Sequence, residues 1–136
     1  MKNWEGKIIL CKNERMGEKM LKIYNTDTET NVFEEIGDFK KGSWINLVNP
    51  SEAEIRKLCE NVKIEEDFIR DALDFEEKAR IDYEEDDNTI LFVVDVPIIE
   101  KNEDNEIYTT MPLGMIVVRD DFFITVTLRK NKVIED

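Results

Sequence analysis

Histidine is absent from all 136 residues, and no other omission excludes so much chemistry. Ser-His-Asp and Cys-His catalysis need an imidazole to carry the proton, and mixed Cys/His zinc sites need one as a ligand. Cysteine is scarce too: Cys11 and Cys59 stand alone, with no C-x-x-C pair. Cys59 falls on an apolar helical stripe, so the two read as buried free thiols in a reducing compartment. The five glycines (Gly6, Gly17, Gly37, Gly42 and Gly114) build neither a phosphate loop nor a dinucleotide fingerprint. Long apolar runs are missing as well. The longest stretch without a polar residue is Met111 to Val118, against about 20 residues for a membrane-spanning helix. The first residues lack the apolar run of a secretory leader.

What is abundant is negative charge. Nineteen basic residues face 32 acidic ones, for a net charge of −13. Such a field repels nucleic-acid phosphates and anionic lipid headgroups, and attracts cations. With 41% hydrophobic and 38% charged residues, a packed core under a charged skin is expected, and the length suits one domain over residues 1–136.

The chain is organised around Trp44 to Asp74. Trp44 and Asn46 alternate with Ile45 and Leu47, which is strand behaviour. Asn49-Pro50-Ser51 then stops the strand and starts a helix, capped either by Asn49 with Pro50 at the first helical position or by a Ser51-x-x-Glu54 box. Ile55, Leu58, Cys59 and Val62 form one apolar stripe. A break is expected at Lys63-Ile64. Glu65, Glu66 and Asp67 crowd the first turn of a second helix, where carboxylates oppose the positive dipole end. Phe68 and Ala72, and Ile69 and Leu73, lie four apart on its apolar side. Trp44, Phe68 and Leu73 each lie on an apolar face of their element and are expected in the core.

On either side the pattern is mostly that of strands. Lys7 to Lys12 and Met20 to Thr26 read as two strands joined by a polar loop. Val32 to Phe39 fits a short helix or a strand-like connector. Arg80 to Glu84 alternates, and Glu84 to Asn88 is an acidic turn. Thr89 to Val96 is a continuous apolar run expected to be covered on both faces, and Pro97 ends it or places it at an edge. Ile107 to Val118 and Phe122 to Leu128 complete an antiparallel series. Strands, a helix pair and further strands predict a mixed sheet with helices packed on it.

The acidic clusters are weak sites on their own. Glu84 to Asp87 lacks the glycine that a calcium loop needs at its sixth position. Glu103 to Glu106 is an ordinary polar loop tip, and Glu65 to Asp67 is explained by the helix dipole. Asp71, on local grounds, is a helix carboxylate placed to pair with Lys78 or Arg70. Asp95 is expected near a strand end or hydrogen-bonded. Without a nucleophile, a histidine or a phosphate loop, nothing argues for an enzyme.

The ordered series W-I-N-L, Pro50, Leu58, Ile64, Phe68 and D-A-L at Asp71 to Leu73 resembles the cytoplasmic domain of CorA-type magnesium transporters. The resemblance continues through Arg80-Ile81-Asp82-Tyr83, the run Ile90 to Val94, and PLGMIVVRDDFFITV at Pro112 to Val126. It implies an α/β/α sandwich around a mixed, mostly antiparallel sheet of about seven strands. It also implies that the stalk, two spanning helices and a Gly-Met-Asn motif lie beyond this chain. The implied assembly is a homopentamer on the cytoplasmic side of the cell membrane, reaching the membrane only through the missing region. Asp71 matches an aspartate that lines a regulatory Mg²⁺ site between subunits; the family's usual neighbouring acid is replaced here by Arg70. The implied function is feedback gating of Mg²⁺ uptake rather than catalysis. Rival readings are a free-standing acidic interaction module, a magnesium-dependent hydrolase, and a zinc- or cobalt-moving relative.

Overall fold

The computed structural model describes residues 19–74 and 78–135. The strand read at Lys7 to Lys12 lies outside them. Among the described residues there are seven strands: β1 (Met20–Thr26), β2 (Phe33–Ile36), β3 (Ser43–Val48), β4 (Arg80–Glu84), β5 (Thr89–Lys101), β6 (Glu106–Val118) and β7 (Phe122–Thr127). Two helices, α1 (Glu52–Val62) and α2 (Glu66–Ala72), connect β3 to the second group of strands, and a short helix, α3 (Lys132–Glu135), follows β7. All strands join one sheet in the order β2-β1-β3-β7-β6-β5-β4. Every neighbouring pair is antiparallel except β3 with β7, so a single parallel seam joins an antiparallel three-strand unit, β2-β1-β3, to the antiparallel meander β4 to β7. The segment 32–39 resolves as strand β2.

Of the two caps open to α1, Ser51 takes the role. Its hydroxyl accepts from the Glu54 amide at 3.1 Å, and the Glu54 carboxylate accepts from the Ser51 amide at 2.9 Å. Two backbone donors at the start of the helix are thereby satisfied reciprocally. The helix stops at Lys63, which turns left-handed (φ 64°) and donates its N–H to the Cys59 carbonyl at 2.9 Å. Arg119, in the tight β6–β7 turn, then donates to the carbonyls of Val62 and Lys63. That clasp satisfies carbonyls which the end of α1 leaves without helical partners.

One face of the sheet carries the main core. Ile55, Leu58 and Val62 of α1 and Ile69 and Ala72 of α2 pack on Ile45, Leu47, Leu91, Ile116, Ile124 and Val126. Ile69 and Ala72 are wholly buried, whereas Phe68 and Leu73 are only partly so. The two flanking residues border the core instead of filling it, because a seven-residue helix lying on a sheet buries one narrow stripe.

Trp44 departs from its expected place. The strand pleat sends it to the face opposite Ile45 and Leu47. There it lies half-buried, 5.0 Å from the Tyr24 ring and 6.4 Å from that of Phe33. Its indole N–H donates to Thr125 Oγ1 at 2.9 Å, and Thr125 donates to Asn46 Oδ1 at 2.9 Å. The register lines up Tyr24, Trp44, Phe123, Val117, Ile90 and Tyr83 across the same face.

β5 also differs from its reading. It alternates, with Leu91 and Val93 buried toward the helices and Ile90, Phe92 and Val94 half-buried on the other side. It runs on through Pro97, which lies past the end of β4, where the outer edge of β5 is open and loses no bond to a third strand. Asp95 is mid-strand and exposed. Beyond it burial changes side: Val96 and Ile98 pack with Met111, Leu113 and Ile134 of α3 in a second, smaller cluster. Among the described residues, the face opposite α1 and α2 thus carries helix only at this end.

Candidate functional site

Ile69 and Ala72 fix α2 to the sheet, and the same helical rotation turns Arg70 and Asp71 outward. Each meets a different partner from the one its sequence neighbours suggest. Arg70 grips Glu52 with both terminal nitrogens, at 2.7 and 3.2 Å, and reaches Glu66 at 2.7 Å. Its hydrogen bonds hold the Glu52 carboxyl below the usual carboxylate range. These groups are all substantially exposed, so the network contributes modestly to stability.

Asp71 pairs with neither Arg70 nor Lys78. Its Oδ2 accepts from Arg80 Nη2 at 2.8 Å, across the gap between the end of α2 and the start of β4. Arg80 also donates through Nε to Asp82 on the same strand. Asp82 and then Asp71 raise the Arg80 pKa further, which keeps the guanidinium charged at every accessible pH. Arg80 was visible in the sequence as part of Arg80-Ile81-Asp82-Tyr83. Its contact with Asp71 was not, because nine positions across a helix–strand connection match no local spacing.

The Asp71 carboxylate is 44% exposed, open enough for a hydrated cation to approach. A magnesium ion keeps most of its waters when only one or two protein carboxylates are offered, and an exposed aspartate is the right type of donor. Among the described residues, however, no three Asp, Glu or Cys side chains converge as a ready-made metal site. The acidic clusters are dispersed accordingly. Glu66 is engaged by Arg70, Glu84 ends β4 with Glu85 to Asp87 in the turn that follows, and Glu106 pairs with Lys101 at 3.4 Å near the hairpin tip. No helix among the described residues is long and apolar enough to cross a membrane.

A seven-stranded mixed sheet with one parallel seam and two helices packed on one face define the class of fold, an α+β domain. The model of the CorA-like Mg²⁺ transporter protein family matches residues 39–136, and the chain belongs to that family. A search of curated proteins gave no match. Among solved structures, the chain is similar to the complete CorA magnesium transporter from Methanocaldococcus jannaschii. The TM-score is 0.67 and the identity 23%, over 85% of this chain and 34% of that one. The soluble domain of CorA from the same organism aligns at TM-score 0.66 and 20% identity, over 85% of this chain and 43% of that one. These likenesses establish the fold; this chain spans well under half the length of the proteins it resembles.

Proposed function

We propose that this chain is the cytoplasmic regulatory domain of a CorA-like Mg²⁺ channel, sensing intracellular Mg²⁺ through Asp71 at the boundary between neighbouring subunits. Family membership over residues 39–136 carries the reading. The placement of Asp71, exposed yet held by a helix whose next residue is wholly buried, supports it. In the proposed assembly five copies surround a funnel, with the stalk and spanning helices supplied beyond residue 136. A Mg²⁺ ion bridging Asp71 to a carboxylate of the adjacent subunit binds the closed arrangement more tightly than the open one, which is all that gating requires. The domain performs no catalysis; the ion is both cargo and signal.

One Asp71 makes only part of such a site, so the isolated chain binds Mg²⁺ weakly, largely through its net charge, and monovalent salt weakens that binding. The decisive measurement is protease resistance of the full-length assembly across a Mg²⁺ titration at fixed high salt. Asp71→Ala shifts protection to higher Mg²⁺. Arg70→Glu replaces the guanidinium beside Glu52 and Glu66 with a further carboxylate next to Asp71, and shifts it to lower Mg²⁺. Superimposed curves for the wild type and both variants would remove Asp71 from the mechanism.

A further inference from the structure

Any cation that approaches Asp71 meets one already there. Arg80 Nη2 stands 2.8 Å from Asp71 Oδ2, so the oxygen offered to a metal is also accepting a charged hydrogen bond. The Arg80 side chain is only 26% exposed, less than either Asp71 at 44% or Asp82 at 49%, so the guanidinium is the more fixed member of each pair. An arginine does not lose its proton in the physiological range, so this competitor cannot titrate away. Asp82, two residues along the same strand, gives the guanidinium a carboxylate to hold whether or not Asp71 is engaged.

We propose that Arg80 sets the cation threshold at Asp71: it holds the carboxylate in an ion pair that a divalent ion must displace, and Asp82 retains the arginine afterwards. The proposal rests on the reading of Asp71 as a metal ligand. Exchange of partners requires no movement of α2, whose Ile69 and Ala72 remain buried. It tunes the ion concentration at which the site fills without altering its ligands. Arg80 is therefore a positioning and competing residue.

The test uses Mn²⁺, a paramagnetic ion of the same charge and ligand preference, titrated into the ¹⁵N-labelled chain at fixed monovalent salt. Broadening of the amides from Ile69 to Leu73 reports occupancy at Asp71, and the acidic turn from Glu84 to Asp87 reports non-specific attraction. Arg80→Gln is expected to tighten Mn²⁺ binding at Asp71 by roughly two- to fivefold, the range an exposed ion pair spans. Arg56→Gln on α1, an equal change of net charge, leaves it nearly unaltered. Arg80→Lys, which keeps the charge but gives up the forked donors, falls between Arg80→Gln and wild type and replaces the Gln variant if that one loses its native spectrum. If Arg80→Gln behaves as Arg56→Gln does while Asp71→Asn abolishes the broadening, the competition is refuted and Asp71 remains a ligand. If Asp71→Asn leaves the broadening unchanged, no ion occupies Asp71 in this chain for Arg80 to compete with and the proposal is refuted, while the intersubunit reading of Asp71 is decided by the protease titration of the assembly.

Discussion

Gly114 of β6 and Ala72 of α2 touch so closely that a methyl group on Gly114 would overlap the Ala72 Cβ far inside van der Waals contact. The helix settles onto the sheet at this point because one side supplies no side chain and the other the smallest one. The residue preceding Ala72 is Asp71, so this contact also sets how far the candidate carboxylate stands from Arg80.

Gly114→Ala should therefore lift α2 and cost about 1–3 kcal/mol, the usual range for overpacking. Urea denaturation measures the loss. Ala72→Gly in the same chain should recover part of it, since the clash is chiefly with the Ala72 methyl. An unchanged midpoint for Gly114→Ala would mean that the helix does not rest where Gly114 places it.

Ile69 and Phe68 differ sharply despite being neighbours. Ile69→Ala removes a fully buried side chain and should cost about 2–5 kcal/mol. Phe68→Ala should cost clearly less, because the ring only borders the core. Chemical denaturation of the two variants side by side decides the rotation of α2. A larger loss at Phe68 would turn the helix, and Asp71 with it, to a different face.

Cys59 provides a pH prediction. Burial, and secondarily the charge of Glu66, push its thiol up from the usual 9 to about 11. Between those values the native state keeps a proton that the unfolded chain has lost. The folded state is thus progressively disfavoured as pH rises through that window, and Cys59 contributes no pH dependence below it. Alkylation by iodoacetamide at pH 9, in a Cys11→Ser background, should be on the order of tenfold slower in native than in urea-unfolded protein, since only the thiolate reacts. Equal rates would place Cys59 in water.

The helix pair was legible in the sequence because its signals are local. Ser51 and Glu54 are three apart, the stripe Ile55–Leu58–Val62 keeps helical spacing, and Lys63 marks the break. Most strands are legible, β1 to within its observed ends, whereas the four residues of β2 fit a short helix or a connector equally well and β5 reads as a continuous apolar run. What alternation cannot give is which face each side chain joins, since the pleat offers two and the chain has apolar residues on both. Trp44 lies on an apolar face of its strand and is expected in the core, yet that face is the one shared with Tyr24 and Phe33, opposite the helices. The continuous run in β5 hid a change of side between Val93 and Val96, set by where α2 ends and α3 begins. At the site, Asp71 was found through its family motif, and its partner Arg80 only through the folded geometry.

The lone parallel seam has a kinetic consequence. Asn46 and Thr125, linked across β3 and β7, are 79 positions apart in sequence. The other strand pairs are far closer in sequence, all but β1 with β3 joined by short turns, and such contacts form early because they restrict little chain. A ribosome therefore releases β1, β2 and β3 as a small three-stranded sheet, β1 at its centre, with the inner edge of β3 unpaired until β7 emerges. Throughout that interval Ile45 and Leu47 have sheet only on the β1 side, so β7 is the strand that ends the exposure of this edge to wrong partners.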